Sequence, residues 1–325
     1  MADDPVSGPG DEEPQAGEPQ SGNPDPATAE EPDTVGPSRE SELADGEPMI
    51  GSAAIEEALA AGEDLHGAEI LPGTPDAIQF IDVFKSFGSN HVLRGLNISI
   101  PEGHISMIIG PSGTGKSVCI KHIVGLLYPD SGDVVVQGQS VPSLPDEELF
   151  TMRRKFGVLF QDGALFGSLN LFDNVAFPLR QHTEKGEDEI QEIVARRLSE
   201  VGLGGEGHKM PNELSGGMRK RAGFARSLVL EPSILLFDEP DSGLDPVRTA
   251  LLCELIKEIH SKNGGTYVVI THDILSARRI ASYLVLLWKG QVVEQGAAKD
   301  MFESDHPFTS QFLSGKPQGP LTMVE

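Results

Sequence analysis

Eight consecutive residues, Gly110, Pro111, Ser112, Gly113, Thr114, Gly115, Lys116 and Ser117, bring the first chemistry to this chain. Glycines at these spacings let a backbone curl until its amides point inward at phosphate oxygens. A helix starting at the lysine adds its positive end to the same cradle. In such a loop Lys116 reaches the β- and γ-phosphates of a nucleotide, and the Ser117 hydroxyl is a magnesium ligand. A second phrase, ILLFDE at 234–239, sets two acids after an apolar run. Asp238 would hold the magnesium, and Glu239 would polarise the attacking water as general base.

Three isolated residues join this set through their position after or near strands. Gln161 follows a run ending at Phe160, where a side chain can reach the magnesium and the water. His272 follows a run ending at Ile270, where it can contact the γ-phosphate and orient the water; alone, either would read as a surface or core residue, and their order around Asp238 favours the site. Phe87 precedes the loop and has two readings: a ring stacked on adenine, or a plain core aromatic.

These residues need elements to position them. Strands are expected at 77–87, 96–100, 105–109, 134–137, 157–160, 234–237, 266–270, 283–288 and 291–294. The continuous apolar run 105–109 is what a strand buried on both faces requires. Helices are expected at 116–126, 187–201, 246–261 and 274–281, with others opening near Pro145 and at Ser215. Over 187–201, the residues Ile190, Ile193, Val194, Leu198 and Val201 share one helical face. Alternating strands and helices imply a largely parallel sheet with helices on both faces. The predominantly helical segment 161–214 interrupts that alternation and reads as an inserted subdomain.

The formal charge of −25 over 325 residues is unevenly spread. Residues 1–76 hold 20 acids and one base, Arg39, for a net of −19; the remaining 30 acids and 24 bases give −6. That first segment is rich in Pro, Gly, Glu and Asp, and Phe80 is the first aromatic residue of the chain. Such composition buries too little apolar surface to offset its ordering entropy, so a disordered acidic tail is expected over 1–76. Within it, 52–61 could form a short helix capped by Ser52 with Ile55 and Leu59 on one face; a spacer role and a partner-docking role both stand. Cys119 and Cys253 lack metal or redox spacing and read as small buried hydrophobes. The acidic N-terminus has no apolar core for a signal peptide, and no run is long enough to span a bilayer. A soluble, cytosolic chain is expected, held at any membrane by a partner.

Taken in order, Phe87, the phosphate loop, Gln161, LSGGM at 214–218, LLFDEP at 235–240, SGLD at 242–245 and His272 resemble the ATP-binding cassette (ABC) ATPase family over residues 77–303. The resemblance implies an α/β P-loop core with a parallel sheet, a small antiparallel β subdomain and a helical subdomain at about 161–230, followed by an extension at 304–325. It also implies ATP and Mg2+ as cofactors and a head-to-tail dimer with a second copy. Each ATP would lie between one subunit's loop and the other's Ser215, Gly216, Gly217 and Met218, with Asp245 lining the same interface. A serine hydroxyl and helix-start amides form a second anion clamp, and two glycines permit close approach.

The family's usual phrase ends in Gln where this chain has Met218. With FQDGALFGSLNLFDNVAFPLR at 160–180, LSGGMRKRAGFARSL at 214–228 and DEPDSGLDP at 238–246, it resembles the ATPases of Mce/Mla-type lipid transporters, most of all the Mkl branch. That likeness implies transport of a lipid or sterol through a separate integral membrane permease at the cytoplasmic face of the inner membrane. Mce-domain lipid-binding proteins would be indirect partners. ABC importers for other cargo, and ABC proteins acting on DNA or ribosomes, are the rival readings. Residues 162–177 either receive a permease helix or simply pack the helical subdomain. The basic cluster Arg219, Lys220 and Arg221 is expected to be a solvated helix face, and overall acidity argues against a nucleic-acid partner.

Overall fold

Ile105–Ile109, the run expected to be buried on both faces, forms strand β3 with all five residues buried. In this computed structural model residues 73–322 are described; the expectations for 1–72, including the helix at 52–61, and for 323–325 lie outside the described residues. Strand β3 sits inside a six-stranded sheet with β6 (Phe156–Leu159), β7 (Ile234–Asp238), β8 (Thr266–Thr271), β9 (Tyr283–Trp288) and β10 (Gln291–Ala297). The order is β10-β9-β3-β8-β7-β6. Five strands run parallel, and β10 closes one edge antiparallel to β9.

The period of two along these strands divides the core into two layers. Met107, Leu235, Phe237, Val269 and Leu286 point into one cluster. Ile108, Leu236, Val268, Ile270 and Val285, their neighbours along the same strands, point into the other. The first layer is covered by helices: α3 (Leu171–His182), α4 (Glu187–Glu200), α5 (Gly216–Leu228), α6 (Pro246–Asn263) and α7 (Ile274–Ile280). The second is covered mainly by another sheet. In it β1 (Asp76–Phe87), β2 (Asn90–Pro101), β4 (Ser131–Val136) and β5 (Gln139–Ser140) pair antiparallel in the order β2-β1-β4-β5. Helices α1 (Lys116–Ile123) and α2 (Asp146–Arg153) complete that side. The strand–helix alternation alone suggested helices on both faces; the antiparallel sheet that takes most of one face is the small β subdomain the family resemblance implied.

Strand β2 begins six residues earlier than the expected 96, because it pairs along β1 from Asn90 to Pro101. The helical segment is built on Asn174, which is fully buried. Its Oδ1 accepts the Phe166 amide at 2.7 Å, and its Nδ2 faces the carbonyls of Phe166, Leu169 and Asn170. This side chain closes the 166–170 loop that a backbone ladder cannot serve. Beyond β10 lie α8 (Ala298–Phe302) and α9 (Pro307–Ser314), neither of them anticipated. Gln311 on α9 exchanges two hydrogen bonds with the backbone of Leu321, folding the following segment back on the helix. Both cysteines are buried as expected, and burial pushes the Cys119 and Cys253 thiols up to about 12 and about 11.

Candidate functional site

Four neighbouring strands, β3, β8, β7 and β6, end side by side, and each carries one piece of the expected chemistry at or just beyond its carboxyl end. The phosphate loop follows β3, His272 follows β8, Asp238 and Glu239 end β7, and Gln161 lies just beyond β6. Residues 110, 161, 238 and 272 are far apart in sequence and become neighbours because parallel pairing registers Ile109 with Thr271, Asp238 with Ile270 and Leu159 with Phe237. Carboxyl ends of parallel strands are where such folds bind ligands.

The loop's shape depends on glycine. Gly110 has φ 147, and a Cβ there would stand 2.2 Å from the Leu287 carbonyl oxygen. Gly115 has φ 99, and its added Cβ would meet Leu93 at 2.8 Å. We expect Gly110→Ala to destabilise the fold by about 3 kcal/mol, through overpacking against backbone and a φ that L residues avoid. Calorimetry would read this as a fall in Tm of roughly 6–12 °C. An unchanged Tm would contradict the close approach.

Lys116 opens α1 and is buried, with its Nζ donating to the Gly110 and Pro111 carbonyls at 2.8 Å each. Burial lowers its pKa, and the nearby charges of Glu239 and Asp238 oppose that shift. Thr114 braces the curl from within, its hydroxyl donating to the Pro111 carbonyl at 3.0 Å. Ser117 donates its hydroxyl to Asp238 Oδ1 at 2.8 Å. Burial raises the Asp238 pKa, the Ser117 hydrogen bond lowers it, and the neighbouring Glu239 raises it again. A hydroxyl and a half-buried carboxylate, to which no basic side chain bonds among the described residues, are hard oxygen donors. They fit Mg2+, which takes few protein ligands and completes its shell with phosphate and water.

Glu239 sits at φ 48, left-handed for a residue with a side chain. The geometry is held because its amide donates to the Ile270 carbonyl at 2.9 Å, continuing the β7–β8 pairing beyond the strand. Its carboxylate Oε1 lies 3.6 Å from His272 Nδ1. Gln161 donates from Nε2 to the Ser242 hydroxyl at 2.9 Å. The site residues thus gathered are Lys116, Ser117, Asp238, Glu239 and His272, with Gln161 tied to the turn just after Glu239.

Phe87 ends β1 with its ring half-exposed and Lys85 Nζ 5.7 Å from the ring centre. It is therefore not a core residue, which removes the plainer of its two readings. Ser215 caps α5, its Oγ accepting the Met218 amide at 3.3 Å. The Met218 side chain packs, partly buried, against the helix-covered core. Asp245 caps α6, accepting the amides of Val247 and Arg248 at 3.1 and 3.0 Å. Ser215, Gly217 and Met218 line a cavity of about 720 Å³ with Leu244 and Arg248.

The cluster 219–221 is not a solvated face. Lys220 is buried and its Nζ donates to the carbonyls of Pro240, at 2.8 Å, and of Ser242. Arg219 donates to the Leu214 carbonyl at 2.7 Å, and Arg221 to the Val201 carbonyl at 2.8 Å. A signal was present: Lys220 lies at helical spacing from Phe224, Ser227 and Leu228, on the buried side of α5.

The fold and the strand-end site define a P-loop nucleotide hydrolase. The family model described as ABC transporter matches residues 93–242. The chain is 49% identical over 249 residues to a protein named probable ribonucleotide transport ATP-binding protein mkl from Mycobacterium tuberculosis H37Rv, covering 77% of this chain and 69% of that one. It is 39% identical over 240 residues to the intermembrane phospholipid transport system ATP-binding protein MlaF of Escherichia coli K12, covering 74% of this chain and 89% of that one. An ATP-binding cassette solved as a dimer in a post-hydrolysis state with ADP and Pi superposes with TM-score 0.63 at 31% identity, covering 68% of this chain and 98% of that one. The chain belongs to the ABC transporter ATPase family.

Proposed function

We propose that this chain is the ATP-hydrolysing subunit of an Mce/Mla-type transporter, working as a head-to-tail pair on a separate membrane permease and energising the movement of a lipid. The observation that carries the ATPase reading is the adjacency of four strand ends, with Ser117 bonded to Asp238 and Glu239 beside His272. Lys116 and the loop amides hold the triphosphate. Ser117, Asp238 and Gln161 would hold Mg2+, and that cation would supply positive charge to offset the phosphates. Glu239 accepts the proton of the attacking water, and His272 orients that water against the γ-phosphate. Phe87 offers its exposed ring to adenine. Ser215, Gly216, Gly217, Met218 and Asp245 serve the ATP of the other subunit.

The lipid assignment rests on the likeness to MlaF and on the 160–180 and 214–228 strings. The relatives named mkl carry a ribonucleotide name, so the cargo has to be measured. Among the described residues no helix is long and apolar enough to cross a membrane, and this reading assigns the path through the membrane to a separate permease. Phe166 and Phe177 are partly exposed and touch at 4.8 Å between ring centres, and they offer the permease an apolar contact.

We expect the protein, extracted from its native membrane, to bring along an integral membrane permease and Mce-domain proteins carrying bound lipid. Mass spectrometry of the proteins and of the extracted lipids reads both. Recovery with a permease lacking Mce-domain partners, or with nucleic acid, would overturn the lipid-transport reading.

A further inference from the structure

The turn at 240–242 follows Glu239 directly and is held from three directions. Lys220, reaching over from α5, places its ammonium on the carbonyls of Pro240 and Ser242, one on each side of Asp241. The buried Asp241 carboxylate accepts the hydroxyl of Thr271, the last residue of β8 and the one before His272. The Thr271 hydroxyl in turn accepts the Asp273 amide at 2.9 Å, so the backbone is pinned on both sides of His272. Gln161 holds the Ser242 hydroxyl. Within the turn, the Ser242 amide donates to the Glu239 carbonyl at 3.2 Å.

These ties have a physical consequence at Glu239. A left-handed residue with a side chain persists only where its surroundings over-determine it, and φ at Glu239 is 48. A buried ammonium is costly unless its donors are satisfied and a counter-charge is near. Lys220 has two of its three donors on carbonyls; burial lowers its pKa, and the Asp241, Asp162 and Glu239 charges offset part of that cost. An apolar residue would fill this position on α5 at lower desolvation cost, so simple packing does not account for a lysine here.

We infer that the 240–242 turn is a positioning device for Glu239 and His272, tied by Lys220 to the helix that opens on Ser215 and by Asp241 to Thr271. The inference rests on the ATPase reading and deepens it. In that reading Ser215 meets the ATP held by the other subunit while Glu239 serves its own. Lys220 then makes one rigid connection, within one chain, between the two ATP sites. In this reading Lys220 and Thr271 act through the turn, to which their side chains are bonded.

The test uses the full-length chain and three variants. Lys220→Met removes charge and donors at similar length, Lys220→Gln restores N–H donors without the charge, and Thr271→Val cuts the turn from the strand that leads to His272. Steady-state hydrolysis, binding of a fluorescent ATP analogue and thermal melting are measured for each. We expect kcat to fall about tenfold or more in Lys220→Met and Thr271→Val, with analogue affinity within about twofold of wild type, since both residues lie outside the 110–117 loop and bond the 240–242 turn. Lys220→Gln should regain most of the rate. Equal rate losses in Lys220→Met and Lys220→Gln, affinity falling in step with kcat, or a wild-type kcat in Lys220→Met would overturn the inference. Should Lys220→Met fail to fold, Thr271→Val decides it: the same split of kcat from affinity is required, and a wild-type kcat sinks the proposal. A wild-type protein that neither binds the analogue nor hydrolyses ATP would instead overturn the ATPase reading, whatever the variants do.

Discussion

Replacing Glu239 by glutamine is expected to abolish ATP turnover while leaving ATP bound. The amide has the size of the carboxylate but cannot accept the proton of an attacking water. Losing a general base costs about 10²- to 10⁴-fold in rate. The fold should survive, because Glu239 is held by its backbone: the amide on Ile270 and the φ of 48 place no demand that glutamine fails to meet. ATP binding is expected to persist, because the phosphate cradle of 110–117 is untouched. If hydrolysis is what separates the two subunits, this variant accumulates as an ATP-bound dimer. Size-exclusion chromatography with ATP and Mg2+ would show the shift to twice the mass, with phosphate release lost. Turnover at the wild-type rate would sink the role given to Glu239.

Lys116→Ala is expected to fail one step earlier, at binding. The ammonium Nζ bonds the carbonyls of Gly110 and Pro111 within the phosphate loop. Removing one partner of a buried charge pair costs about 2–5 kcal/mol, or roughly 30-fold to several thousand-fold in affinity. The loss should appear in direct binding of a fluorescent ATP analogue, before any chemistry. Part of the change will be structural, since the two carbonyls lose their donor. A melting curve taken beside the titration separates the two effects. Unchanged affinity would contradict the assignment of the loop. The two variants divide the cycle, with Lys116 read at binding and Glu239 read at turnover.

How much of this was legible in the sequence depended on burial. Ile105–Ile109 and Tyr283–Trp288 stand where expected, because a strand covered on both faces must be continuously apolar. The start of β2 was not visible, because His91 and Arg94 point out of an edge strand and blur the alternation. The helices α8 and α9 were missed for their shortness: five and eight residues carry too little periodic signal. Lys220 was misread because three adjacent basic residues suggest solvent, whereas its place on the buried side of α5 sends it inward to the 240–242 turn.

The sequence alone determined the chemical parts. A phosphate loop can be read from glycine spacing because only glycine adopts those backbone angles, so Lys116 and Ser117 follow without any fold. The acids ending ILLFDE, and the Ser215 phrase with its Met218, are likewise written in local order. Tertiary structure decided which parts meet. Parallel pairing in the order β3-β8-β7-β6 brings 110–117, His272, Asp238, Glu239 and Gln161 to one edge. No local pattern encodes that order, because strand neighbours are selected by the packing of whole layers. The same holds for Lys220, whose partners lie 20 and 22 residues further along the chain. A side chain's type fixes what bonds it can make, and only the folded chain supplies the carbonyls that receive them.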